Sequence, residues 1–313
     1  MATSNVTTLS YTVNDILSEA YDVLGVAADG ETLSGDLFAR GKRSINMLLR
    51  KWQSQGMHMW TMTEGYLFPT QGVAKFDFST ARVVNSYERA QTSAASTSGT
   101  NTITVVSDDN ISDTDVIGVL LSTGVMQWTT VNGAPAANVV TLTDNLTADV
   151  SSGALVFSYA AGSILQRAER VLGVRRTDST NYDIEMQIYS RLDYQQLPNK
   201  DEKSVPVVAH IARQVDNPVM YLWPTVSTEN IVIPFTYERT IQAADAATNT
   251  FDLPEYWFDA LHLNLAVKLA PKMGTNPVRL AEIKEQAADS LNLAMTYDND
   301  IADLRFVLYG RNH

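Results

Sequence analysis

Four histidines and a scatter of carboxylates are the side chains of this chain equipped for acid–base or metal chemistry. His58, His210, His262 and His313 never stand four residues from one another, nor at metal-ligand spacing from a carboxylate, so no zinc-type site is expected. His262 lies one residue off an apolar helical stripe and His210 lies in an alternating strand pattern, so both read as packed or rim residues. There is no Cys, which rules out a disulfide framework and a thiolate metal site. No G-x-S-x-G, Walker A or G-x-G-x-x-G run occurs. A glycosidase-type carboxylate pair forms in space rather than in sequence, so Glu64, Asp183 and Glu185 stay open as candidates, although each reads first as an exposed or paired surface group. Trp60, Tyr66, Trp128, Trp223 and Trp257 read as core before they read as a ligand platform. The expectation is no enzyme, with no catalytic, metal-binding or cofactor-binding residue.

The elements that could position such groups are helical at both ends of the chain. Thr12 with Asp15 forms a capping-box pattern, and Val13, Ile16, Leu17, Ala20, Tyr21 and Leu24 follow on one helical face before Gly25. A loop containing Asp29-Gly30 leads to a second helix capped by Ser34, with Leu37, Phe38, Ile45, Leu48, Leu49 and Trp52 as its stripe. Arg40, Lys42, Arg43, Arg50 and Lys51 fall mostly on its other side and read as a solvated face. Near the C-terminus, Asp252 and Glu255 around Pro254 predict a third start, with Trp257, Phe258, Leu261, Leu265 and Leu269 as stripe. Asn276-Pro277 opens a fourth helix with Leu280, Ile283, Ala287, Leu291 and Ala294 inward. Ile16, Leu17, Tyr21, Leu48, Leu49, Trp52, Trp257, Leu261 and Leu265 are the predicted core of one four-helix bundle, of antiparallel type, built from both termini.

The middle alternates like strands. From Ala90 to Ser163 there is no Lys, Arg or Glu, while Asp occurs at 108, 109, 113, 115, 144 and 149. Thr, Ser, Val and Gly dominate, which predicts an inserted small β-sandwich or barrel over 87–163. Its Asp residues lack an EF-hand pattern and read as turn formers. The run from Thr102 to Leu120 resembles the run from Val140 to Val156, a weak internal duplication that would pack face to face. The class is therefore α+β, with 1–86 and 164–300 as a core and 301–313 as a tail. That tail carries Leu304, Arg305, Phe306, Leu308, Tyr309 and Arg311, apolar and basic side chains with no evident partner.

At 313 residues with 45% hydrophobic content the chain is globular, and its net charge of −12 argues against wrapping DNA while allowing DNA to pass. Met1–Ser10 lacks the apolar stretch of a signal peptide, and no run is long enough to span a membrane.

Asn14-Asp15-Ile16-Leu17, Leu24-Gly25-Val26 and the run Ile45 to Gly56 followed by Trp60 resemble the helical hairpin of head-to-tail adaptor proteins of short-tailed bacteriophages, also called tail tubular protein A or packaged-DNA-stabilisation proteins. Asp252 to Leu261, Asn264-Leu265-Ala266 and Leu269-Ala270-Pro271 are similar to the helix closing that domain. Ser190 to Tyr194, Trp223-Pro224 and Phe235 to Arg239 resemble its β portion. The likeness spans roughly 10–86 and 164–300, and the 87–163 block departs from the smaller members.

The resemblance implies a virion structural protein of the tail or neck, made in the host cytoplasm, whose sister subunits close into a ring of about twelve. That ring would bind the portal protein, extend the DNA channel, retain packaged DNA and receive the tail nozzle protein, with the 301–313 tail reaching the portal. No cofactor or membrane contact is implied. The second reading is a carbohydrate- or receptor-binding module on a tail part; the third is a cell-wall glycan hydrolase.

Overall fold

The computed structural model describes residues 9–26, 32–56, 59–163 and 165–298. The tail residues Leu304 to Arg311, the loop Asp29-Gly30, His58 and His313 lie outside them. The protein is of mixed α+β class with a β-rich middle. It divides into two compact units, one drawn from Met1–Thr61 and Ile241–His313, the other Met62–Thr240.

The first unit is helical. Helix α1, Val13–Val23, starts with Asp15 closing the box: Asp15 N donates to Thr12 Oγ1 at 3.2 Å and Thr12 N to Asp15 Oδ2 at 2.9 Å. Two further α1 amides, Val13 N and Asn14 N, donate to the carbonyls of Asn249 and Ala247, so a segment from the other end of the chain satisfies groups that a helix start leaves open. Helix α2, Gly35–Ser54, is capped by Ser34 and binds the same returning segment through Asn46, whose amide exchanges two hydrogen bonds with Ala244 at 2.8 and 2.9 Å. Helix α3, Arg191–Gln196, belongs to the second unit.

The third predicted start is corrected. A 3-10 turn spans Glu255–Trp257, and α4 runs from Phe258–Met273. Both proposed capping carboxylates are used elsewhere: Asp252 Oδ2 accepts from Gln242 N and Glu255 Oε1 accepts from Leu9 N. Helix α5, Pro277–Tyr297, follows, with Asn276 Oδ1 accepting from Val278 N at 2.9 Å. Side chains of α1, α2, α4 and α5 share one hydrophobic core. Ile16, Leu17, Tyr21, Leu48, Leu49, Trp52, Trp257, Leu261 and Leu265 are all buried in it. Trp257 sits between Trp52 and Trp60, each ring centroid 5.2 Å away.

The second unit is built of strands β1 Met62–Leu67, β2 Lys75–Asp77, β3 Val83–Val84, β4 Glu88–Gln91, β5 Thr102–Thr104, β6 Val116–Leu120, β7 Met126–Thr130 and β8 Val139–Thr141. It continues with β9 Leu155–Tyr159, β10 Ala168–Thr177, β11 Asp183–Ile188, β12 Lys203–Ser204, β13 Val208–Ala212, β14 Val219–Trp223, β15 Thr225–Val226 and β16 Ile233–Arg239. Trp60 and Thr61 form a 3-10 turn ahead of β1, where Trp60 turns in to Trp257 and donates from Nε1 to the Asp252 carbonyl.

A curled eight-stranded sheet has the order β2-β14-β13-β11-β10-β16-β1-β3. One face buries Phe76, Val174, Met186, Met220, Ile233, Phe235 and Tyr237. Strands β1 to β3, β10, β11, β13, β14 and β16, from stretches grouped with the helices in the sequence reading, form this sheet and lie in the second unit. A separate sheet, β4-β9-β6-β7, and a pair, β5-β8, enclose their own core of Ile103, Val105, Ile117, Val119, Val140, Leu142 and Val156.

The two resembling runs pair strand for strand. β5 of the first lies antiparallel to β8 of the second with Ile103 opposite Val140, and β6 lies antiparallel to β9 with Gly118 opposite Phe157. An approximate two-fold axis through both pairs is the simplest description of that register.

Candidate functional site

The three candidate carboxylates lie in one sheet on the side of Arg175 of β10, Asp183 and Glu185 on the adjacent β11 and Glu64 on β1, with β16 between β1 and β10. Arg175 pairs with Glu64 of β1, stands 3.8 Å from Asp183 of β11, and faces Glu185 across the β10–β11 register. Glu64 also accepts from the Tyr66 hydroxyl at 3.0 Å, and Asp183 from Thr177 Oγ1 at 2.5 Å. Burial, then the Glu64 carboxylate, pushes the Tyr66 phenol up to about 12. The bond from Glu64 pushes the Arg175 guanidinium further up. A glycosidase needs one carboxyl free to protonate a leaving oxygen and a second free to attack or to activate water. Here both Glu64 oxygens are engaged, which makes the cluster a cross-strand ion network. Arg175, its centre, is not singled out by the sequence; the alternation of Asp183 and Glu185 along β11 was the available signal.

His210 of β13 is buried. Tyr194 of α3 stacks on it at 5.7 Å, Tyr221 lies 5.8 Å away, and Nδ1 is 3.0 Å from the Tyr189 carbonyl. His262 of α4 is within 3.2 Å of the Phe258 carbonyl and 4.0 Å of Asp259. Both are fixed by packing.

The six Asp residues of the 87–163 block each have a local bonding role. Asp108 accepts from Asn138 N, Asp113 from Gly133 N, Asp115 from Ser112 N and Asp149 from Ser98 N; Asp109 accepts from Ser107 and Asp144 from Thr129 hydroxyls. Among the described residues no group of three His, Asp or Glu is arranged for a metal ion.

The aromatic side chains of the block pack inward against the large sheet. Phe68, just after β1, touches Tyr87, Trp128, Phe157 and Tyr159 with centroids 5.0 to 6.1 Å apart. The Arg82 guanidinium lies 4.2 Å over Trp128 and donates to the Tyr159 hydroxyl. The buried carboxylate of Glu229 accepts from Gln71 N and from Met126 N, tying sheet and block together. These rings are engaged with one another, which leaves them unsuited to stack on a sugar. The groove beside the block, about 560 Å³, is lined by Arg89, Gln91, Ser107, Asp109, Thr180 and Asn181 among others, and no aromatic residue lines it.

The helical unit carries a groove of about 420 Å³ between α1 and the start of α4. Its floor is Tyr11, Ile16 and Phe258; Asp15, Glu19, Glu255 and Asp259 line it as carboxylates. Sequence reading missed this convergence. The signal was present as like charges four residues apart, Asp15 with Glu19 and Glu255 with Asp259. No helix among the described residues is long and apolar enough to cross a membrane. Compared with protein-family models the chain matches none, and compared with curated proteins it finds no significant match.

Proposed function

We propose that this chain is a virion structural protein, a ring-forming head-to-tail adaptor of a short-tailed bacteriophage. Its ring would bind the portal vertex, extend the DNA channel, retain packaged DNA and receive the nozzle protein. In this reading α1, α2, α4 and α5 form an antiparallel-type bundle, residues 1–86 and 164–300 form the adaptor core, and 87–163 is an inserted small β-sandwich or barrel. The role is one of assembly, without bond-breaking chemistry. Binding energy comes from buried interface, and the acid excess keeps passing DNA from adhering.

The observation that carries the reading is the tryptophan-centred core shared by segments from both ends of the chain, Trp52 and Trp60 against Trp257. The engaged aromatics of the 87–163 block do not favour the carbohydrate-binding alternative.

The test is electron microscopy of purified protein mixed with portal rings. A ring layer of about twelve subunits on one portal face is expected. Portal rings left bare at saturating protein would overturn the proposal. Removing 301–313, with Leu304, Arg305, Phe306, Leu308, Tyr309 and Arg311, is expected to weaken the binding.

A further inference from the structure

The charges of the helical unit are sorted by flank. On the side of α4 that meets α1, Asp15, Glu19, Glu255 and Asp259 surround the apolar groove. Among the described residues no Lys or Arg stands within 4.0 Å of any of them. On the side of α4 that meets α2, Lys268 and Lys272 lie with Lys51. Lys272 Nζ donates to the buried Ser44 hydroxyl at 2.8 Å, and no carboxylate of the described residues pairs with these three amines. Burial, and then the neighbouring Lys272 and Lys51, holds the Lys268 amine below its ordinary value.

Each flank gathers charge of one sign, and like charges held close repel. Asp15 with Glu19 on α1 and Lys268 with Lys272 on α4 each stand one turn apart, and Glu255 of the 3-10 turn lines the same groove as Asp259. An opposite charge brought against each flank removes that repulsion. The groove also leaves apolar surface to cover: Leu9 is 60% exposed and Tyr11 41%, the latter edge-on to Phe258 at 5.3 Å. The aliphatic stems of lysines suit such a floor while their amines reach the rim.

We propose that these flanks are the two halves of a contact between copies of this chain, the carboxylate-rimmed α1–α4 groove of one copy receiving the Lys51, Lys268 and Lys272 patch of the next. The inference rests on the ring reading and names the surfaces that close the ring. Because the two patches differ, the contact is heterologous, the kind that generates rings or filaments rather than two-fold dimers.

Charge reversal tests it on the full chain. Glu19→Lys with Asp259→Lys cancels the groove's negative charge, leaving Asp15 and Glu255 against two lysines, and Lys51→Glu with Lys268→Glu turns the basic patch net acidic. Sedimentation velocity is run at roughly 20 mM and roughly 500 mM salt, between which charge screening shortens several-fold. The unaltered protein is expected to associate at low salt and to dissociate at high salt. Each reversed protein alone is expected to stay monomeric. An equimolar mixture of the two is expected to associate again, because the unaltered patch of one then meets the unaltered groove of the other, and at the second contact introduced lysines face introduced glutamates. Should a reversed pair misfold by circular dichroism, the milder Glu19→Gln with Asp259→Asn and Lys51→Gln with Lys268→Gln replace it, with association weakened at least about tenfold.

Monomeric unaltered protein at low salt, reversed proteins that associate unchanged, or a mixture that stays monomeric would each overturn the inference. So would association abolished by removing 299–313, which would give the groove to that segment. Portal binding, measured separately, distinguishes failure here from failure of the adaptor reading, since a ring templated on the portal by other surfaces would still appear.

Discussion

The most constrained single positions are those where one side chain fills what another leaves. A Cβ added at Gly41 of α2 would come within 2.6 Å of Leu17 Cδ2, so α1 and α2 approach closely only because that position has no side chain. Tyr21, fully buried beside it, keeps its hydroxyl satisfied by donating to the Leu37 carbonyl at 2.7 Å. Two other tyrosines set a pH response. Burial pushes the phenols of Tyr66 and Tyr237 up to about 12, from 10.0 in an unfolded chain. Between those values the folded protein holds protons that the unfolded chain has released, so stability falls as pH rises. Their contribution is complete below pH 10 and is lost progressively toward 12. Urea midpoints measured at pH 9 and pH 11 are expected to fall, and the fall to shrink in Tyr237→Phe. An equal fall in that variant would place the alkaline sensitivity elsewhere.

Elements show where sequence was sufficient and where it was not. The caps at Thr12 and Ser34 were legible because each acts on an amide three residues away. The start of α4 was not, because Asp252 and Glu255 are drawn off by Gln242 and Leu9, one ten residues away and the other 246. Helix α3 was missed although Ser190 and Asp193 cap it, since six residues are too few to show a helical period. Strand placement was legible by alternation, while the sheet order and the Arg175 network depend on strands distant in sequence. The likeness of the 102–120 and 140–156 runs could be read, but not their pairing of Ile103 with Val140. Among the element contacts, the aromatic cluster under β1 and β9 is the least replaceable. Phe68→Ala is expected to cost about 3–5 kcal/mol in chemical unfolding of the sheet unit. Hydrogen exchange should rise at β1, β4 and β9, which border the cluster, while β5 and β8 keep their protection through the separate Ile103–Val140 core. A uniform rise across all five strands would show a single cooperative core.

At the scale of the whole molecule, the chain is organised as excursions nested one inside another. The first leaves at β1 and returns at β16, and these two strands pair, with Met62 opposite Glu238. The second leaves at β4 and returns at β9, with Glu88 opposite Ser158. In both cases exit and return lie on adjacent antiparallel strands, so each excursion closes on itself and leaves two chain ends side by side. Insertion at such a site disturbs the host little, because no host strand is pulled out of place. The loop-closure entropy of a long excursion grows only with the logarithm of its length, so a 62–240 detour is tolerated between helices that must meet. The helices should then fold without it. A chain joining Thr61 to Ile241 through a short Gly/Ser linker is expected to keep helical circular dichroism, a cooperative unfolding transition and the shielded emission of Trp52, Trp60 and Trp257, whose mutual packing lies wholly within that unit. Residues 62–240 alone are expected to keep the eight-stranded sheet, whose strands all lie between those limits. If the joined helices melt without a transition, or their tryptophans emit as in water, the β middle is a folding partner of the termini rather than a detour between them. An adaptor built on the termini would then require its middle intact, and truncations that leave portal binding in place would be confined to the 87–163 block.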